Sequence, residues 1–236
     1  MASKKMINKI LPVLKVAMFL LTAIGIIMVI RSLNDLTGYM PVNNGPRVPS
    51  FNKDYGKHTF LTLLHIVPGA LFVILGPLQF MPRIRFRHIR FHRWSGTVFI
   101  IAAYIIGITA IVLSFTKQLI GGIDEAVASL FFSIFFLVSI SMSLYYILRK
   151  QVMLHREWMI RSFSLGLAIA TVRIIAAFAF IFFKIPLENF LGTAFWMGFA
   201  LHAVVAEIWI NYTRKPVIIA HTTFSYQDVK ENTVPQ

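Results

Sequence analysis

Long apolar stretches alternate with short polar connections along most of this 236-residue chain. A helix needs about 20 mostly apolar residues to cross the roughly 30 Å hydrocarbon core of a bilayer. Six stretches meet this requirement, and they cover residues 10–30, 60–81, 94–115, 126–148, 158–183 and 190–210. The pattern predicts an all-α fold, a polytopic integral membrane helical bundle of about six transmembrane helices that forms a single transmembrane domain.

The composition agrees with a membrane protein. Hydrophobic residues make up 57% of the chain and charged residues only 14%, whereas soluble domains are about a quarter charged. The chain contains no cysteine, which excludes disulfides, zinc–thiolate sites, iron–sulfur clusters and thiol catalysis.

Two polar segments lie outside the predicted spans, and the N-terminal apolar stretch has two possible interpretations. Residues 31–57 are expected to form an outer loop, and residues 213–236 a flexible C-terminal tail. A basic N-terminus followed by an apolar stretch is also typical of a signal peptide. Because no small-x-small cleavage site follows Ile30, we interpret this stretch as a retained first span.

Basic residues are distributed unevenly among the connections, and the densest run is "RIRFRHIRFHRWSG" at residues 83–96. With the N-terminus inside, 16 of the 23 Lys and Arg residues lie on the inner side and six on the outer side, and Arg173 lies within a span. Since cytoplasmic loops are enriched in Lys and Arg, both termini are predicted to be cytoplasmic, in a multi-pass protein of the inner membrane. Anionic lipid headgroups at the cytoplasmic face are expected partners of this basic rim. Nucleic acid is not, because no recognised nucleic-acid fold accompanies the arginines.

Ionisable side chains inside a span are costly, so each is a candidate for a functional site. Five lie within the predicted spans: His65, Arg161, Arg173, His202 and Glu207. Arg161 and Glu207 fall at matching depth near the inner ends of the fifth and sixth spans, which predicts a structural ion pair. The first and fourth spans carry no such residue between their ends. We therefore place them at the periphery of a polar interior that the other four spans form.

Four histidines have positions compatible with haem, which requires facing histidine nitrogens and an apolar slot. His92 and His155 both lie near the inner face and form the pair that depth allows best. His65 and His202 form a looser second pair. The sharpest functional hypothesis is therefore a membrane redox protein that binds haem b.

Haem also requires cationic groups for its propionates. Arg93 and Arg156 lie beside the first histidine pair, and Arg173 is a further candidate contact for a propionate or another anion. His88 and His92 are four residues apart, a spacing that suits metal ligation on a helix. Because no second cluster of ligands accompanies them, no metal site is predicted.

Two other classes of function use the same residues. A small-solute or proton transporter, or a ligand binder, would use His65, Arg173, His202 and Glu207 as a polar path through the membrane. A lipid-interacting protein would use the basic inner rim to bind anionic headgroups. Neither a substrate nor a redox partner is indicated, and enzymatic activity is left open.

The chain resembles a family of bacterial predicted membrane proteins, domain of unknown function 2306. The resemblance rests on "LLHIVPGALFVILGPLQF", "RIRFRHIRFHRWSGTVFI" and "HREWMIRSFSLGLAIATVRI". It implies a polytopic membrane protein and does not supply a reaction. The positions it is expected to involve are His65, His92, Trp94, Gly96, His155, Arg156, Trp158, Arg161 and Arg173.

Overall fold

A computed structural model describes residues 4–37, 59–116 and 119–214, and over these residues the chain is entirely helical apart from short connections. Six long apolar helices are each able to span a membrane by length and composition, which confirms the predicted all-α class and the number of spans. The helices are α1 (Lys4–Thr37), α2 (Thr59–Phe80), α3 (Pro82–Arg87), α4 (Ile89–Thr116), α5 (Gly122–Leu148), α6 (Val152–Phe183) and α7 (Leu187–Thr213).

The long helices extend beyond most of the predicted span limits. α1 continues to Thr37, so the first residues assigned to the outer loop 31–57 are helical. The remainder of that loop, from residue 38, lies outside the described residues. The same holds for the predicted tail 213–236, of which only Thr213 and Arg214 are described.

The basic connection between the second and third spans is helical instead of a simple loop. Pro82 occupies the first turn of α3, where its missing N–H would be unpaired in any case. His88 ends α3 with φ −125° and ψ 54°, and its carbonyl accepts the N–H of His92 at 2.9 Å. His88 thus lies between α3 and α4, at the position that precedes the helix carrying His92.

The centre of the bundle is apolar and aromatic, which corrects the predicted polar interior. The Phe72 ring on α2 stacks on Phe99 of α4 with centroids 4.4 Å apart. Phe136 of α5 and Phe163 of α6 contact the same ring at 5.6 Å and 5.8 Å. Because burial of four phenylalanines leaves no room for charge at the centre, the polar groups lie in the interfaces between neighbouring helices.

The fourth span is not peripheral, contrary to the prediction. α5 packs against α4, α6 and α7, and it contributes Phe132, Phe136 and Ile140 to the core. The fourth span lacks interior charges because it packs through apolar side chains. The lack of charge therefore does not indicate whether a span is central or peripheral. α1 packs along α2 and α6 and is the least buried of the six long helices.

Candidate functional site

Polar side chains join α6 to α7 over roughly 20 Å, the length of 14 residues of helix. We call this row the α6–α7 seam, and it consists of Glu157, Arg161, Ser164 and Thr171 on α6 with His202, Glu207 and Arg214 on α7 or at its C-terminus. The seam starts at the end of the bundle where α2, α5 and α7 finish and α4 and α6 begin. This end also contains α3, and we call it the arginine-rich end.

Arg161 and Glu207 form a bidentate ion pair in the seam. Nε and Nη2 of Arg161 donate to the two carboxylate oxygens of Glu207, the second bond measuring 2.9 Å. The guanidinium also lies over the ring of Trp158, 4.5 Å from its centroid. The side chain of Arg161 is 14% exposed and that of Glu207 is 47% exposed, so the arginine is the more enclosed member of the pair.

A second bidentate pair, which the sequence analysis missed, lies at the start of the seam. Nε and Nη2 of Arg214 donate to the two oxygens of Glu157 at 2.9 Å and 2.7 Å. These bonds raise the pKa of Arg214, because the carboxylate stabilises the protonated guanidinium. Glu157 is buried, and a buried carboxylate needs a cationic partner. Glu157 precedes the fifth predicted span by one residue and Arg214 was assigned to the tail, so neither was treated as intramembrane.

His202 occupies the middle of the seam and is held by α6. Its Nε2 hydrogen-bonds to Thr171 Oγ1 at 2.8 Å, and its carbonyl accepts the Ser164 hydroxyl at 2.9 Å. Ser164 Oγ also lies 3.4 Å from the His202 Nδ1. Both ring nitrogens are thereby engaged by hydroxyl groups of the neighbouring helix, which fixes the orientation of the imidazole.

A cationic cluster lies at the arginine-rich end, formed by Arg85 of α3, His92 and Arg93 of α4, and His155 and Arg156 of α6. Arg85, Arg93 and His155 are close enough to act electrostatically on His92. Arg85 acts in the same way on Arg156, and the neighbouring Glu157 acts on it with the opposite sign. Three helices therefore bring five cationic or titratable side chains together beside one carboxylate.

The two histidines of this cluster differ in their hydrogen bonds. Nδ1 of His155 lies 2.9 Å from the Ser143 hydroxyl and 3.0 Å from its carbonyl, so α5 orients this ring. Nδ1 of His92 is buried and has no hydrogen-bond partner among the described residues. An orphaned buried ring nitrogen is costly, which marks His92 as a position that a bound group would stabilise.

The structure brings together only one of the two predicted histidine pairs. His92 and His155 share the cationic cluster with Arg93 and Arg156. His65, however, bonds through Nδ1 to Thr109 of α4 at 2.8 Å, whereas His202 bonds to α6. The second pair is thus held on different helices by separate partners.

Arg173 lies on the same helix as Arg156, 17 residues further along, which is about 25 Å at 1.5 Å per residue. It therefore cannot contact the group that the cationic cluster would hold. It follows Thr171 by two residues, at the level of His202 in the seam. Of the four residues in the predicted polar path, Arg173, His202 and Glu207 belong to α6 and α7, while His65 lies between α2 and α4.

Six long apolar helices within the described residues, two of them joined by charged pairs, define an integral, multi-pass membrane protein in contact with the lipid bilayer. The sequence profile of the family described as predicted membrane protein (DUF2306) matches residues 62–210. The chain belongs to this family, which confirms the resemblance found in its motifs. No curated protein and no solved structure matches the chain.

Proposed function

We propose that this is a protein of the cytoplasmic membrane with both termini in the cytoplasm, and that its cationic cluster binds the phosphate of an anionic lipid headgroup. The orientation is supported by the distribution of Lys and Arg, 16 on the inner side against six on the outer side. The arginine-rich end then faces the cytoplasmic leaflet, where anionic phospholipids are concentrated.

The observation that carries the proposal is the buried, unpartnered Nδ1 of His92, on which Arg85 and Arg93 act electrostatically, with Arg156 in turn within the field of Arg85. Like charges held this close repel one another unless a counter-ion lies between them. Glu157, the carboxylate that acts on Arg156, is engaged in two bonds from Arg214. A phosphate group would accept bonds from the guanidinium forks and from the imidazole, and arginine suits phosphate geometrically.

The surroundings of the cluster favour a lipid as the source of the phosphate. The neighbouring side chains of Phe86 on α3 and Trp94 on α4 are 76% and 63% exposed. Aromatic rings at the level of the headgroups anchor a protein in the interface, and arginine stems extend along apolar surface to reach the same level. A phosphate bound here would remain attached to acyl chains that pack beside these rings.

The test measures phosphatidylglycerol retained by the full chain after washing in a non-ionic detergent. Arg85→Gln with Arg93→Gln is expected to lower the retained lipid at least tenfold. The matched control is Arg149→Gln with Lys150→Gln, which removes two charges at the same end outside the cluster and is expected to retain the lipid. Equal retention in both double variants contradicts the proposal. Titration of delipidated protein with inorganic phosphate, if it binds as tightly as the lipid, indicates a soluble phosphate instead.

Haem b is a second candidate for the same cluster. It is supported by the electrostatic contact of His92 with His155 and by Arg93 in the same cluster, while Arg156 also donates to Thr213 at 2.9 Å. The cavity of about 300 Å³ between α5, α6 and α7 is lined by none of the four histidines, so it does not supply them with an apolar slot for haem. An absorption spectrum of protein from haem-replete cells, before and after reduction, separates the two. The lipid proposal expects no Soret band. A band that His92→Ala or His155→Ala removes would establish haem and a redox role.

A further inference from the structure

A cavity of about 300 Å³ opens between α5, α6 and α7, with the Arg161–Glu207 pair in its wall. Phe135 of α5 and Leu165 of α6 supply apolar surface, and α7 contributes Ala203 among other small and branched side chains. The volume is at the lower limit for sites that bind small molecules, and such sites are mostly apolar with a few placed polar groups. The cavity shares no residue with the cationic cluster.

One side of the cavity lies at the outer surface of the helical bundle. Val204 and Ile208, which line it on α7, are 55% and 49% exposed. Glu207 lies six residues before the end of α7, which is about 9 Å along the helix. The opening is therefore within reach of a molecule that enters from the bilayer, close to its polar boundary.

The two charges in the cavity wall are unequally enclosed. Arg161 donates to Glu207 and packs on Trp158, and its side chain is 14% exposed. The carboxylate of Glu207 belongs to a side chain that is 47% exposed, and each of its oxygens has a further lone pair to offer. A half-exposed ionised carboxylate at membrane depth is costly even when it is paired, and a further donor offsets part of this cost. Of the two charged side chains that line the cavity, the acid is therefore the more accessible.

We propose that this cavity binds a lipophilic cation, a molecule with an apolar body and a protonated amine. The ammonium group donates to the remaining lone pairs of Glu207, and the apolar body packs against Phe135 and Leu165. An anion is disfavoured because Arg161 is enclosed and is already paired with the carboxylate of Glu207, which would repel it. The site is independent of the lipid headgroup proposed at the cationic cluster.

The experiment uses the full chain in nanodiscs of zwitterionic lipid and measures equilibrium binding of radiolabelled n-octylamine at neutral pH, after subtraction of empty nanodiscs. Saturable binding is expected, with n-octanol and octanoate at least tenfold weaker. Glu207→Gln preserves an acceptor but removes the charge, and it is expected to weaken binding at least tenfold. The control Glu188→Gln makes the same change in the first turn of α7 and is expected to bind within twofold of the parent.

Ala203→Phe is a second, charge-neutral variant that fills the cavity, and it is expected to abolish binding of octylamine while leaving the ion pair in place. Unchanged binding by both Glu207→Gln and Ala203→Phe overturns the proposal. Equal binding of octanol overturns the assignment of a cation. Retained phosphatidylglycerol, measured in the same variants, is expected to be unaffected, so failure here is distinguishable from failure of the lipid proposal.

Discussion

The ring of Phe72 on α2 lies directly over Gly166 on α6, where an added Cβ would approach the ring to 2.2 Å. The arrangement is reciprocal, because Phe163 of α6 lies over Gly76 of α2, where a Cβ would approach it to 2.0 Å. Each glycine thus provides the space for a phenylalanine of the facing helix. Small residues that permit close approach are typical of helix contacts in membranes.

Gly76→Ala and Gly166→Ala are expected to destabilise the bundle by about 1–3 kcal/mol each, the usual cost of forcing extra atoms into a packed core. The free energy of unfolding is measured by titration from mild detergent into sodium dodecyl sulfate. Gly69→Ala on α2 is the control, since a Cβ there meets nothing within 4 Å. It is expected to be neutral or slightly stabilising, because alanine favours helix. A loss of stability in all three variants would mean that helix flexibility, and not the ring contact, is responsible.

The Arg161–Glu207 pair gives a second prediction about stability. Glu207→Ala leaves an enclosed guanidinium without its carboxylate, and we expect a loss of about 2–3 kcal/mol, below the range for fully buried pairs because Glu207 is half exposed. Replacing both residues with leucine is expected to cost less than Glu207→Ala alone, since no uncompensated charge remains. The same unfolding titration measures both. If the double variant is less stable than Glu207→Ala, the loss of stability in the single variant does not arise from an uncompensated charge.

Membrane orientation gives a third prediction, and the absence of cysteine makes it simple to test. Gln151→Cys lies in the exposed turn between α5 and α6 at the arginine-rich end, and Ile123→Cys lies at the opposite end, where the native side chain is 78% exposed. In cells whose inner membrane is intact and whose outer barriers are permeable, a membrane-impermeant maleimide is expected to label Cys at position 123 and not at 151. After lysis both are expected to react. Labelling of position 151 alone in intact cells would reverse the proposed topology.

His202 gives a fourth prediction. Thr171→Val removes the hydrogen bond to Nε2 and is expected to cost about 0.6 kcal/mol, the average for such bonds between transmembrane helices. Double-mutant cycles with His202→Phe are expected to return a coupling of this size. The cycle of His202 with Thr109, the partner of His65, is expected to return none. Coupling to Thr109 would show that the two histidines communicate through the bundle.

The sequence was sufficient to predict the six helices because bilayer thickness sets a length and composition that leave little ambiguity. It also placed Arg161 opposite Glu207, since both residues lie within spans and their depths follow from counting along antiparallel helices. The pair of Glu157 and Arg214 was missed because both residues lie at span limits, where the hydropathy pattern is least precise. His65 was paired with His202 on the basis of depth in the membrane alone. Depth does not reveal which helices are neighbours.

The polar interior was predicted from the ionisable residues within the spans. In the structure, the centre of the bundle is instead formed by packed aromatic rings. Phe72, Phe99, Phe136 and Phe163 occur in four different spans, and nothing in the spacing along one helix indicates that their rings meet. The peripheral position predicted for the fourth span failed for the same reason. In a membrane both the lipid-facing and the core-facing sides of a helix are apolar, so hydropathy does not distinguish them.

The order of charges along the seam also determines the register of α7 on α6. On α6 the acid Glu157 precedes the base Arg161, and each meets the opposite charge on α7. Sliding α7 by about one and a half turns in one direction would set Glu157 opposite Glu207, and in the other direction Arg161 opposite Arg214. Like charges in a medium of low dielectric repel strongly, so both slipped alignments are unfavourable. The apolar surfaces of α6 and α7 alone would tolerate many alignments, and the charged pairs restrict the hairpin to one of them.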